Sequence, residues 1–155
     1  MQRKRLTFWG ANEDDDSLPR AVIAGRKTAT SDLAGSYYAG YGDLGEGGYA
    51  EGDLIEVYDL RRQLRCLIRA TGVERFRFGA VPEAVWRGET FSGADEFRQV
   101  HIDCMPEHAL HDDTEFVALH FELVEIVAAE PSSGPASGAA SSNPHPACIP
   151  GLSNI

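Results

Sequence analysis

Two runs of alternating apolar residues flank Arg61-Arg62-Gln63: Leu54-Ile55-Glu56-Val57-Tyr58-Asp59 before it and Leu64-Arg65-Cys66-Leu67-Ile68-Arg69-Ala70 after it. A period of two sends successive side chains to opposite faces of a strand. The pair therefore reads as an antiparallel hairpin with Leu64, Cys66, Ile68 and Ala70 turned to a core and Arg65, Arg69 and Arg75 turned away. A third run, 115–127, alternates through Phe116, Ala118 and then His120 or Phe121, and reads as a long closing strand. Leu6-Thr7-Phe8-Trp9 suits either a further strand or a hydrophobic anchor. Short helices fill the gaps. One begins near Ser17, its N-cap, with Pro19 in the first turn and Gly25 as the residue just past its end. A brief one falls in 31–38, another in 82–87 ended by Gly88, and one runs from Ser92 to about Cys104, with Ser92 and Asp95 in capping-box spacing. Strands with three or four short helices predict an α+β fold, a small mixed β-barrel.

Composition sets the limits of that fold. From Ala128 onward the chain turns to Ala, Ser, Pro and Gly and holds five of its eight prolines. Such a stretch buries too little apolar surface to fold, so 1–127 is expected to be the domain and 128–155 a disordered tail. Seven glycines between 35 and 52 rule out a regular element there. They predict a loop over 39–52, with Tyr38, Tyr41 and Tyr49 free either to stack on a base or to pin the loop to the body. The net charge of −10 excludes a non-specific duplex binder. Positions 61–98 nevertheless carry eight basic residues against five acids, a local excess that suits a nucleotide or a short strand. Three cysteines without a CxxC pair predict reduced thiols. No apolar run has the length of a signal peptide or a membrane span, which makes the cytoplasm the expected location.

The chemistry concentrates in Gly25-Arg26-Lys27-Thr28-Ala29-Thr30, at the end of the first helix. Lys27 supplies a partly exposed charge or, if desolvated, a base near neutral pH, and Thr30 supplies a hydroxyl nucleophile. A surface turn with the same residues is the plainer alternative. Arg65 and Arg69 are candidates for phosphate contact, or else a solvated strand face. His101, Cys104, His108 and His111 are the one set with metal-like spacing, but Pro106 interrupts it and no paired cysteines support it. No cofactor is implied, and a divalent metal is left open. The loops that bind dinucleotides or triphosphates, the serine-nucleophile elbow and the HExxH zinc motif are all missing from the sequence.

Residues 17–30, with a short helix followed by Gly-basic-Lys-Thr-x-Thr, resemble the opening of the ASCH domain, a PUA-like, RNA-associated family. Three later features follow in the family's order: Glu51-Gly52-Asp53-Leu54 opening a strand, Phe97-Arg98-Gln99-Val100-His101 resembling a Trp-Arg-x-x-His helix, and the closing strand. The likeness spans roughly 7–127. It implies a PUA-like mixed β pseudo-barrel with short flanking helices. Small members of this family include an amidohydrolase that deacetylates N-acetylcytidine with the Lys and Thr of this motif and a Glu from a later helix. The resemblance places those roles on Lys27 and Thr30. At the position of the family's first Glu this chain has Arg87, and Glu89 matches the second. That displacement favours the branch resembling ribonucleases of single-stranded RNA, ahead of the amidohydrolase and of a binding module without catalysis. Lys27, Thr30 and Glu89 are thus the expected catalytic residues. Thr28, Tyr38, Arg65, Arg69, Arg87, Arg98 and His101 are the expected substrate contacts. The expected partner is single-stranded RNA or a modified nucleoside, with no membrane and no dedicated protein partner.

Overall fold

The second strand of the hairpin continues past Ala70 into 73–78, which the sequence also marks as strand or edge. A computed structural model, which describes residues 3–127, shows it running fourteen residues from Leu64 to Arg77 as the spine of a five-stranded mixed sheet. The strands are β1 (Lys4–Thr7), β2 (Ala29–Leu33), β3 (Leu54–Tyr58), β4 (Leu64–Arg77) and β5 (Glu115–Ile126), in the spatial order β1-β3-β4-β5-β2. β1 pairs parallel to β3, and every other pairing is antiparallel. Register shifts at Leu67/Ile68 and at Ala70/Gly72 insert bulges into the long β4–β5 ladder. A bulge bends a strand and raises its twist, which lets this sheet curve into a half-barrel. The fold is α+β, with the PUA-like pseudo-barrel architecture that the resemblance implies. The expected tail at 128–155 lies outside the described residues.

Among the described residues, four α-helices flank the sheet: α1 (Ser17–Ile23), α2 (Ala34–Ala39), α3 (Glu83–Gly88) and α4 (Ala94–Cys104). Val22 of α1, Ile68 of β4 and Phe121 of β5 share one buried cluster, and Phe76, Val85, Phe97 and Phe116 belong to a second. Cys66, in the first, is a free thiol that burial pushes up to about 11. Cys104 is disulfide-bonded, which corrects the expectation of reduced thiols at that residue.

Three local expectations are also corrected. The stretch expected to be helical over 31–38 divides into β2 and α2. Ala-Thr-Ser-Asp-Leu shows no apolar alternation, and its strand character comes from pairing with β5, Ala29 opposite His120 through Leu33 opposite Phe116. Ser17 begins α1 from inside; the N-cap is Asp16, and the Asp15 carboxylate takes both the amide and the hydroxyl of Ser17. At α4 the reciprocal partner of Ser92 is Glu96, whose carboxylate accepts its amide at 2.7 Å and its hydroxyl at 3.0 Å, with Gly93 at the cap.

Candidate functional site

Gly25, at φ 82°, ends α1 in the left-handed conformation that glycine adopts at little cost. The amides of Arg26 and Lys27 then both donate to the Ala21 carbonyl, at 2.9 and 3.1 Å. This doubled turn directs Lys27 into the body before β2 begins. Its side chain is only 3% exposed, so the reading of a partly exposed charge is corrected. Its Nζ lies 5.2 Å from the centre of the Phe8 ring, donates to the Ala29 carbonyl at 2.8 Å and stands 3.8 Å from Glu89 Oε1. Burial pulls the ammonium well below its ordinary range, and the Glu89 charge offsets part of that pull.

Glu89 reaches Lys27 because α3 ends against β2. The Gly88 carbonyl accepts the Thr28 amide at 2.8 Å, and a Cβ on Gly88 would stand 2.7 Å from that of Ala29. Only a residue without a side chain permits this approach. The Glu89 carboxylate, 8% exposed, accepts the Ser31 hydroxyl at 2.5 Å through Oε2. Asp32 follows on the same strand, its Oδ1 taking the Leu33 amide at 2.7 Å. Burial, aided by the neighbouring Glu89 charge, pushes the Asp32 carboxyl up to about 7. His101 arrives from α4, 1% exposed and stacked on Phe97 at 4.0 Å between ring centres. Its Nδ1 lies 2.7 Å from the Phe97 carbonyl, and its Nε2 has no partner among the described residues. Burial lowers its proton affinity, while the Glu89 charge opposes that.

These groups line one cavity of about 140 Å³, shared by Lys27, Thr30, Ser31, Asp32, Glu89 and His101 with apolar walls from Phe8, Trp9 and Phe91. A cavity of roughly 150 Å³ holds a benzene-sized ring, so this one accommodates a single base. The glycine loop forms part of its wall through Tyr41, Leu44, Gly47 and Tyr49. Gly47 sits at φ 75°, and a Cβ there would fall 2.4 Å from the Tyr37 carbonyl, which explains why this turn of the loop has no side chain. Tyr49 is tied down, its hydroxyl donating to the Arg5 carbonyl and its own carbonyl accepting from Tyr37 at 2.5 Å.

Of the expected catalytic residues and substrate contacts, Lys27, Thr30, Glu89 and His101 come together in the cavity wall. The others lie elsewhere. Thr28 is exposed and packs beside Gly88. Tyr38 is 51% exposed, under the Arg75 guanidinium. Arg65 is held between Asp16 at 2.8 Å and Asp59 at 3.3 Å. Arg69 pairs with Glu122, Arg87 with Glu83 and Arg98 with Asp95, all on the surface. Ser31 and Asp32 were not singled out. Their one sequence signal was adjacency to Lys-Thr-x-Thr, which carries no weight until the stretch is known to be a strand beside Glu89. His101, Cys104, His108 and His111 do not form a metal site; among the described residues no three His, Cys, Asp or Glu side chains are placed to hold one ion. Among the same residues no helix is long and apolar enough to cross a membrane.

The model of the ASCH domain family matches residues 4–125. No curated protein matches the sequence. Among solved structures, protein EF3133 from Enterococcus faecalis V583 superposes with a TM-score of 0.65 at 22% identity, over 81% of this chain and 78% of that one. An ASCH domain from Lactobacillus crispatus JV V101 superposes with a TM-score of 0.59 at 20% identity, over 78% of this chain and 80% of that one. At these identities the likeness is one of fold.

Proposed function

The chain belongs to the ASCH domain family, and from that premise we propose that it binds a single modified base in its cavity and hydrolyses an amide on that base. The observation that carries this reading is the buried Lys27–Glu89 pair, 3.8 Å apart in the wall that also holds Thr30. From sequence, RNA cleavage ranked ahead of nucleoside deacylation because Arg87 stands where the family has a Glu. The arrangement supports the opposite order. Arg87 turns to the surface and pairs with Glu83, while Glu89 occupies the space beside the lysine. A cavity whose cation is matched by one carboxylate and followed by another suits a neutral heterocycle. A polyanion would meet repulsion there.

The chemistry follows from the protonation states. Burial leaves Lys27 with an amine closer to neutrality than a surface lysine, able to take the Thr30 hydroxyl proton as Oγ1 attacks the acyl carbon. The C–N bond breaks, and the proton carried by Lys27 passes to the departing exocyclic nitrogen. Water then cleaves the threonyl ester, releasing the acid and restoring Thr30. Glu89 holds the lysine in place and steadies its charge while it carries the proton.

Purified protein incubated with N-acetylcytidine, cytidine release being followed by chromatography, tests this directly. A parallel incubation with single-stranded RNA, with and without divalent metal, covers the ribonuclease reading. Cytidine release that vanishes in Thr30→Ala supports the proposal. RNA shortening without cytidine release replaces it with the ribonuclease, and binding without turnover of either replaces it with a recognition module.

A further inference from the structure

His101 is the one described residue whose buried side chain has a polar atom without a hydrogen-bond partner, Nε2. A carbonyl oxygen can only accept, so the 2.7 Å contact between Nδ1 and the Phe97 carbonyl requires the proton to be on Nδ1. Burial lowers the affinity of the ring for a second proton. Nε2 therefore presents a lone pair, an acceptor. The ring cannot turn to hide it, being stacked on Phe97 and packed at 5.6 Å from Phe116, 6.0 Å from Trp9 and 6.2 Å from Phe91. His101 lines the cavity and feels the charges of both Glu89 and Lys27. Lys27 does not supply the missing proton, because its Nζ is directed to the Ala29 carbonyl and to Glu89.

Resting on the base-binding reading above, we propose that His101 is the positioning residue that selects the substrate by accepting a hydrogen bond from its exocyclic N–H at Nε2. The ligand class is then a nitrogen heterocycle bearing an amino or secondary amide N–H. An acceptor that is buried and fixed discriminates strongly, because a ligand without a donor leaves it desolvated and unpaired. In the reaction proposed above, that N–H belongs to the scissile amide. Holding it orients the acyl carbon toward Thr30, and the contact strengthens as the nitrogen gains its second proton and departs as an amine.

The test pairs two unreactive ligands with two proteins. Cytidine carries the exocyclic amine, and the pyrimidin-2-one riboside is the same nucleoside without it. Calorimetric titration of wild type and His101→Phe, which keeps the ring on Phe97, should show cytidine affinity falling roughly ten- to a hundredfold in the variant. Affinity for the pyrimidinone riboside should stay within about twofold. Equal losses for both ligands, or none for either, overturn the inference and leave the base-binding reading intact. Nitrogen-15 spectra of the wild-type histidines give an answer independent of the variant's folding. His101 should show a protonated Nδ1 and a bare Nε2, and cytidine should move the Nε2 resonance; a proton on Nε2 in the free protein overturns the inference. If neither nucleoside binds wild type, the base-binding reading fails. A shift of Nε2 on addition of 2-pyridone, a small N–H heterocycle, would then sustain the acceptor role, and no shift would end both.

Discussion

The Lys27 ammonium and the Glu89 carboxylate stand 3.8 Å apart, and the two side chains are 3% and 8% exposed. They are 62 positions apart in the chain and are joined by two backbone arrangements, the turn that folds Lys27 back onto α1 and the seating of Gly88 on β2. Neither group would be stable in this place alone, because an unpaired charge in a low-dielectric interior costs several kcal/mol. The pair and the enclosure therefore exist together, which separates this lysine from the surface turn its local sequence suggests.

Lys27→Ala should abolish turnover and also destabilise the fold. Removing one member of a buried pair costs about 3 kcal/mol, roughly a 10 °C drop in melting temperature for a domain of this size. A partly exposed lysine, as read from sequence, would have left stability unchanged. Lys27→Met combined with Glu89→Gln, which removes both charges at similar volume, should recover most of the melting temperature and none of the activity. Thermal melts of the three proteins beside one turnover assay check both halves.

Glu89→Gln keeps the shape of the side chain and an acceptor for the Ser31 hydroxyl while removing the charge. Turnover of N-acetylcytidine should fall by about a hundredfold or more. The same change relieves Asp32 of a neighbouring charge, so the Asp32 carboxyl, now pushed up to about 7, should titrate lower. Carbon-13 titration of the aspartate side chains reads that shift. An unmoved Asp32 together with full activity would remove Glu89 from the centre of the site.

Alternation in 54–59, 64–70 and 115–127 made the three central strands legible, because each has one face on the core and a two-residue period follows. β2 was not legible. It is a five-residue edge strand whose middle, Thr30-Ser31-Asp32, is polar, and its backbone partners on β5 lie more than eighty positions away. The site divided along the same line. Lys27, Thr30 and Glu89, which line the cavity, were named through the family resemblance, whereas Ser31 and Asp32 come near Glu89 only through the pairing of β2 with β5. The arginines misled for a related reason. Alternation marks which face Arg65 and Arg69 take, but not that Asp16, Asp59 and Glu122 already occupy them.

Asp32 should give the fold a distinctive pH dependence. Its folded carboxyl titrates near 7 against an ordinary 3.8, so between those values the folded state holds a proton that the unfolded state has released. Its contribution to stability is therefore complete below about pH 4 and is lost as the pH rises through 7, a change on the order of 4 kcal/mol. His101, lowered by burial, acts in the opposite direction and favours the folded state as the pH rises toward 6.5. The comparison with Asp32→Asn isolates the aspartate. That variant should be about as stable as wild type near pH 3.5 and clearly more stable at pH 8. Denaturant titrations at the two pH values decide it, and parallel curves would place Asp32 in solvent.

Gly88→Ala tests how the carboxylate is delivered. In an unconstrained helix this substitution stabilises, since alanine is the better helix former by about 1 kcal/mol. Gly88 is the last residue of α3 and does not need a left-handed conformation, so backbone strain is no objection. The obstacle is contact. A Cβ would stand 2.7 Å from Ala29 Cβ and 3.0 Å from Thr28 Oγ1, against a strand that β5 already holds. Relief requires α3 to lift from β2, which stretches the bond from the Thr28 amide to the Gly88 carbonyl and withdraws Glu89 from Lys27. The expected outcome is a loss of about 1–3 kcal/mol of stability where propensity alone predicts a gain. Turnover should fall as it does in Glu89→Gln, although no catalytic group has been altered. Gly35→Ala in α2, where an added Cβ meets nothing within 4 Å, is the control and should be neutral or stabilising. If both alanines behave alike, the close approach of α3 to β2 is not what places Glu89 at the lysine.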